Sequence, residues 1–146
     1  MSQDNVDLLR ADPIQQEDLD LRAMAEAGFE ALNRGDLDGY LALIAEDVEF
    51  TSLVAEAEGT AFRGHDGVRV WWETVRGAFQ DPRWELLDVR GSTDRAVTKF
   101  RITGSLGGVP VAQTMWQAAT AHEGKLTWWG FYRTEREALD ALAQRA

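Results

Sequence analysis

The sequence predicts an α+β domain in which helices come first and a long antiparallel sheet follows. Apolar residues recur at helical spacing from Leu21 to Leu32, which indicates one stripe of an amphipathic helix. From Trp84 onward the pattern changes to long runs of alternating and apolar residues, separated by glycine-containing turn signals. A curved sheet of this length needs cover on its concave side, so the helices are expected to pack there.

Composition favours one globular domain and excludes several classes of function. The chain has 146 residues, of which 45% are hydrophobic and 27% charged. Residues 1–15 are polar and are predicted to form a flexible arm, while residues 16–146 form the domain. The net charge of −10, without a cluster of Lys or Arg, argues against nucleic acids and anionic membranes as partners. No cysteine is present, which excludes thiol chemistry.

The N-terminal segment carries acidic residues where a secretory signal needs basic and apolar ones, so we expect a cytoplasmic protein. No apolar run is long enough to span a bilayer. The sequence contains neither a dinucleotide fingerprint nor a P-loop, and no cofactor is expected. Its two histidines, His65 and His122, lack the spacing of metal ligands, so no metal site is expected.

The first elements follow from cap residues. Gly35 is expected to end the first helix in a left-handed cap, and Asp36 to cap a second helix that runs to about Ala45. Strands are predicted at Val48–Leu53 and Thr60–Arg63, with a turn at residues 56–59 between them.

A third helix is predicted from Gly64 to about Phe79, where Asp81-Pro82 stops it. A capping box at Thr134–Glu137 opens a last helix that ends near Gln144. Between these helices the sequence predicts a meander of four strands: Trp84–Arg90, Arg95–Thr103, Val109–Ala121 and Lys125–Arg133.

The stretch Ala31–Tyr40, followed by Glu46-Asp47-Val48, resembles the helix–turn–helix–strand opening of nuclear transport factor 2-like proteins, including SnoaL-like and ketosteroid isomerase-like members. The resemblance continues in Phe62–Val68, His122–Leu126 and Glu135–Leu139. It implies a cone-shaped fold around an apolar pocket. Isomerases, cyclases, epoxide hydrolases, dehydratases and plain binding domains share this fold, so the resemblance implies no single reaction.

The catalytic groups of ketosteroid isomerases are an Asp base, a Tyr and a protonated Asp. Matching by resemblance puts Ser52, Gly28 and Trp116 at these positions. None of the three carries the required group, so that mechanism is not expected, although the Trp116 indole N–H could donate one hydrogen bond. The Asp–Arg–Asp set of limonene epoxide hydrolase-like members is absent too, since no Asp lies between Arg95 and Arg133.

A period of two along the strands assigns one face to a candidate ligand site. His65, at the start of the third helix, is either an acid–base group at the rim or a helix-entry residue that bonds the loop. The aromatic residues either line a cavity or fill the core. The predicted ligand-binding residues are Phe50, Ser52, His65, Trp72, Phe100, Trp116, Trp129 and Phe131.

The opposite, convex face is expected to form a homodimer contact. Its predicted residues are Lys99, Arg101, Gln113, Met115 and Trp128. The sequence therefore predicts a pocket protein that binds a hydrophobic or aromatic small molecule, with no evident catalysis. The alternatives are a cofactor-independent isomerase, polyketide cyclase, dehydratase or epoxide hydrolase, and an association domain with a filled core.

Overall fold

The computed structural model describes residues 16–51, 62–92 and 94–145. The predicted arm at residues 1–15, the candidate residue Ser52 and the predicted turn at residues 56–59 lie outside these ranges. Within the described part, no helix is long and apolar enough to cross a bilayer.

Four helices and a six-stranded, curled sheet make up the described fold, which confirms the predicted α+β class. The sheet order is β2-β1-β6-β5-β4-β3. The elements are α1 (Gln16–Arg34), α2 (Leu37–Leu41), β1 (Ile44–Thr51), β2 (Phe62–Arg63), α3 (Gly64–Ala78), β3 (Phe79–Gly91), β4 (Arg95–Leu106), β5 (Val109–His122), β6 (Lys125–Tyr132) and α4 (Glu135–Ala143).

The sheet is antiparallel throughout except where β1 joins β6. These two strands run parallel, and Phe50 lies beside Trp129. Strands β3 to β6 form the predicted meander, each antiparallel to the next. The parallel pair places β1, which follows the N-terminal helices, beside the last strand of the sheet.

The three predicted helix caps, at Gly35, Asp36 and Thr134, are present. Gly35 takes a φ of +74°, and the Asp36 carboxylate accepts a hydrogen bond of 2.9 Å from the Gly39 N–H. Thr134 accepts one of 3.1 Å from the Glu137 N–H at the start of α4. These local signals were sufficient because each cap is satisfied by residues a few positions away.

Two boundaries differ from the sequence prediction. Helix α2 ends at Leu41 and β1 already begins at Ile44, ahead of the predicted Val48. Strand β3 begins at Phe79, directly after α3, and passes through Asp81-Pro82 as a bulge where the register shifts. Proline is tolerated there because β3 is the last strand of the sheet and one of its edges carries no partner strand.

The sheet has a concave face, covered by α1 and α3, and a convex face. Helix α4 packs on the convex face, over Val97, Ala118 and Trp128. The expected packing of helices on the concave side is confirmed for α1 and α3, and α4 adds cover on the convex face. The Arg145 guanidinium, just after α4, lies 4.4 Å from the Trp128 ring centroid and 3.5 Å from the Glu49 carboxylate.

Candidate functional site

Four of the predicted aromatic residues lie together on the concave face: Phe50, Phe100, Trp129 and Phe131. All four are buried in the main core. Phe50 stacks on Trp129 with ring centroids 4.4 Å apart, and Phe100 meets Phe131 edge-on at 5.6 Å. They therefore pack against one another, and ligand contact by their rings stays a prediction.

Trp72 lies on α3 and is buried at the edge of this cluster. Its ring stacks on Trp84 of β3, with centroids 6.2 Å apart and an interplanar angle of 22°. It also contacts Trp71, the next residue of the helix, at 6.4 Å. Trp72 thus lies buried between α3 and β3.

The expectation that Trp116 faces the concave side is wrong. Trp116 pairs with Lys99 on β4 and Tyr132 on β6, and Lys99 Nζ lies 6.0 Å from its ring centroid on the convex face. The alternation of β5 was ambiguous because both faces of this strand are covered, by the main core on one side and α4 on the other. A strand buried on both faces has apolar residues at both parities.

The corrected parity of β5 also changes the residues of the predicted dimer contact on the convex face. Met115 pairs with Phe100 and packs against the main core, and Gln113 pairs with Ile102, so both lie on the concave side. Trp128 is on the convex face but is covered by α4. Lys99 and Arg101 remain as exposed residues of that face.

Sequence reasoning missed two polar residues that the register places at the centre of the concave face. Thr98 pairs with Gln117, and Gln117 pairs with Phe131. Their exposed fractions are only 4% and 7%. Neither side chain makes a hydrogen bond or ion pair within the part of the chain that the structure describes. The available signal was a glutamine inside an otherwise apolar run, Met115 to Ala119.

Two further polar groups lie close to this row. Trp129, on the next concave row, has a fully buried indole Nε1 without a hydrogen-bond partner among the described residues. The Tyr40 ring lies 6.1 Å from that of Trp129, and burial raises the pKa of the Tyr40 hydroxyl well above its usual value. The hydroxyl therefore stays protonated and can donate.

The space beside Gly28 is occupied by the same tyrosine. A side chain at Gly28 would meet the Tyr40 ring at 3.5 Å. The sequence comparison had put Gly28 where isomerases of this fold carry a tyrosine. Here a tyrosine ring from α2 reaches that neighbourhood, which the sequence order did not reveal.

His65 is held by the start of β1. Its Nε2 lies 2.9 Å from the Ile44 carbonyl oxygen, as the helix-entry alternative predicts. His122 is exposed at the hairpin tip, 3.1 Å from the Glu123 carboxylate. Among the described residues no group of three or more His, Asp or Glu side chains could hold a metal ion.

A model of the SnoaL-like domain matches residues 25–139. The chain belongs to the SnoaL-like family. A search of curated proteins found no match for this SnoaL-like domain.

Solved structures share the fold at low sequence identity. An NTF2-like protein of unknown function from Burkholderia pseudomallei has 20% identity and a TM-score of 0.71, covering 84% of this chain and 97% of that one. TerC, co-crystallized with polyporic acid, has 19% identity and a TM-score of 0.71, covering 86% and 98%. A putative polyketide cyclase from Xanthomonas campestris pv. campestris has 20% identity and a TM-score of 0.64, covering 87% and 97%.

The described interior of this SnoaL-like domain holds hydrogen-bonding groups but no buried acid–base pair. Its buried polar residues are Thr98 and Gln117, and no described carboxylate or histidine is buried with them. Neutral amide, hydroxyl and indole groups can orient a ligand and polarise an acceptor atom. They cannot abstract a proton from carbon near neutral pH.

Proposed function

We propose that this SnoaL-like domain binds a compact hydrophobic or aromatic small molecule on the concave face of the sheet. The ligand lies over Thr98 and Gln117 and exchanges hydrogen bonds with them. The observation that carries the proposal is a set of three polar groups on adjacent concave rows without a hydrogen-bond partner among the described residues: the fully buried Trp129 indole N–H, and the side chains of Thr98 and Gln117, which are 4% and 7% exposed as residues.

Such groups are rare in native interiors and call for a physical reason. A buried donor or acceptor left without a partner costs about 1–3 kcal/mol. The Trp129 indole N–H carries this cost, and a bound molecule that accepts its hydrogen bond and also contacts Thr98 and Gln117 would remove it. This supports a ligand that carries at least one oxygen or nitrogen acceptor.

The surroundings support an otherwise apolar ligand. Phe131 lies directly across from Gln117, and Phe100 lies on the neighbouring row. The row on the other side of Thr98 and Gln117 contains Ala96 and Ala119, which have short side chains. Aromatic side chains beside small and polar ones suit a flat, mostly apolar molecule.

The relatives suggest which compounds to try first. SnoaL-like proteins generally bind small molecules. TerC was crystallized with polyporic acid, and the Xanthomonas campestris protein carries the description putative polyketide cyclase. Oxygenated aromatic compounds of polyketide type therefore head the panel, followed by steroids, terpenoid epoxides and aromatic acids.

A second candidate is an enzyme of the same family, a cofactor-independent isomerase, cyclase, dehydratase or epoxide hydrolase. Tyr40 favours it, because a hydroxyl kept protonated by burial can stabilise charge that develops on a ligand oxygen. The acid–base group would then have to come from outside the described residues, where Glu56 and Glu58 lie in the sequence. Turnover that disappears in Glu56→Gln or Glu58→Gln, with binding retained, would support this candidate.

The test is thermal unfolding of the purified protein with and without each compound of the panel. A ligand present at about 100 times its Kd adds roughly 2.7 kcal/mol to the free energy of unfolding. For a domain of this size the midpoint should rise by about 5–10 °C. Gln117→Leu should abolish most of the shift, while Gln113→Leu, an exposed position on the same strand, should keep it.

Two results would contradict the proposal. The first is a panel without any shift, which favours the association domain with a filled core. The second is a shift with a compound that carries no carboxylate group and survives in Gln117→Leu undiminished, because that ligand would then bind elsewhere.

A further inference from the structure

A cleft lies outside the concave face, between the C-terminal turns of α1 and α3 and the start of β3. Its volume is about 650 Å³, within the range of small-molecule sites. Leu32 and Trp72 form its inner wall, and Phe79 and Pro82 continue the apolar surface. Thr98, Gln117 and Trp129 are not among the residues that line it.

Three arginines line the cleft, and they differ in their partners. Arg34 is paired with the Glu30 carboxylate at 2.5 Å and with that of Asp36 at 3.5 Å. Arg76 and Arg83 make no ion pair with any described residue. Two unpaired guanidinium groups thus face one cavity, in a protein whose net charge is −10.

The position of Arg76 depends on two local features. Its guanidinium lies 5.4 Å from the Trp72 ring centroid, in a cation–π contact. Its Nη1 would also lie 3.2 Å from a side chain at position 35, so it approaches the main chain at Gly35, where φ is +74°. The contact with the Trp72 ring and the absence of a side chain at Gly35 allow the Arg76 guanidinium to lie at the cleft.

The opposite wall is shaped by the bulge in β3. Asp81 has a φ of +54°, and the register with β4 shifts between Gln80 and Arg83. A bulge re-aims the side chains of its strand, and bulges are frequent next to functional sites. Asp81 lines the same cleft and is the one carboxylate among its described lining residues.

We infer that this cleft binds an organic carboxylate. A guanidinium group matches a carboxylate geometrically and can donate two parallel hydrogen bonds to it. Arg76 and Arg83 hold the carboxylate, while the apolar body of the molecule lies against Leu32, Phe79 and Pro82. The acidic surface of the rest of the protein disfavours anions elsewhere, and this site goes beyond the proposed function of the concave face.

The first test is isothermal titration of the full chain with 1-naphthoate and with its neutral analogue 1-naphthamide. Binding of the carboxylate alone is expected. Because the arginines are exposed, its affinity should fall as the salt concentration rises from about 0.01 M to about 0.15 M, where the Debye length shortens from about 30 to about 8 Å. Equal binding of the amide, or no binding of either compound, would overturn the inference.

Charge variants then locate the site. Arg76→Gln and Arg83→Gln should each weaken 1-naphthoate binding at least about tenfold. Asp81→Asn should strengthen it, since a like charge is removed and Asn tolerates a positive φ. Arg69→Gln is the matched control, because Arg69 is another exposed arginine of α3 that pairs with Asp66 at 3.1 Å and does not line the cleft.

The variant Gln117→Leu distinguishes binding in the cleft from binding on the concave face. This variant should leave 1-naphthoate binding unchanged, whatever happens to the ligands of the concave face. If Gln117→Leu removes binding and Arg76→Gln does not, 1-naphthoate occupies the concave face and the cleft is no carboxylate site. An equal loss in Arg69→Gln and Arg76→Gln would also contradict the inference, because general electrostatics would then account for it.

Discussion

Replacing Gln117 by leucine should stabilise the unliganded protein. Leucine has a similar size but no polar atoms, so the change removes an amide from a residue that is only 7% exposed and has no hydrogen-bond partner among the described residues. The relieved desolvation penalty is about 1–3 kcal/mol. Proteins often give up stability at sites that bind ligands, which is the relation expected here.

The magnitude in thermal terms follows from chain length. With an unfolding entropy of about 2.1 cal/mol/K per residue, 146 residues give roughly 0.3 kcal/mol/K. The midpoint of Gln117→Leu should therefore rise by about 3–10 °C. Calorimetry and urea unfolding of the ligand-free protein measure it, with Gln113→Leu as the exposed control, expected to change by less than about 0.5 kcal/mol.

A loss of stability in Gln117→Leu would refute the reasoning. It would mean that the amide contributes hydrogen bonds to the free protein and that its burial is structural. Thr98→Val, which is nearly isosteric, tests the same argument on the neighbouring strand and should change stability in the same direction.

Three other changes probe the frame around the site. Asn33→Ala removes hydrogen bonds of 2.8 and 2.7 Å to the main chain of β3 and should lower the free energy of unfolding by about 2–3 kcal/mol in urea; a loss below about 0.5 kcal/mol would contradict this. Gly35→Ala, at a φ of +74°, should cost about 1–2 kcal/mol, whereas the control Gly77→Ala, in open space on α3, should stabilise by up to about 1 kcal/mol. The variant Tyr132→Phe leaves Tyr40 as the sole tyrosine, so phenolate absorbance should appear only when the protein unfolds at high pH. Phenolate absorbance near pH 10 in the natively folded variant would refute the burial of Tyr40.

The sign of that last effect follows from linkage. Below a pH of about 10 Tyr40 is protonated in both states and adds no pH dependence. Above it the unfolded chain releases the proton while the folded protein, whose Tyr40 pKa is raised by burial, does not. Stability should therefore fall as the pH rises through the alkaline range.

Local signals predicted most of the fold. Asp36 and Thr134 cap the predicted helices because their partners lie three residues ahead. The turns between β3 and β6 were visible as glycine-containing separators. Strand β3 was predicted too short, because Asp81-Pro82 reads as a helix stop and the bulge that admits it depends on the edge position in the sheet.

The candidate site was harder to predict for a physical reason. The side on which Gln117 or Trp116 lies depends on the register of β5 against both neighbours, and apolar residues occupy both faces of that strand. Because side chains alternate between the two faces of a strand, the wrong parity for β5 placed Trp116 on the concave face and Gln117 on the convex face. Tyr40 was missed because it comes from a different helix, and its nearness to Gly28 exists only in the folded chain.

The most direct test of a ligand over the concave face is an NMR titration of the indole N–H and side-chain amide resonances with the best compound from the panel. Trp129→Phe identifies the Trp129 indole signal among the six tryptophans. We predict that the Trp129 indole and the Gln117 amide shift on binding, while the indole of Trp116, on the convex face, does not. Perturbations confined to Trp116, or no perturbation at Gln117 and Trp129, would contradict the proposed site.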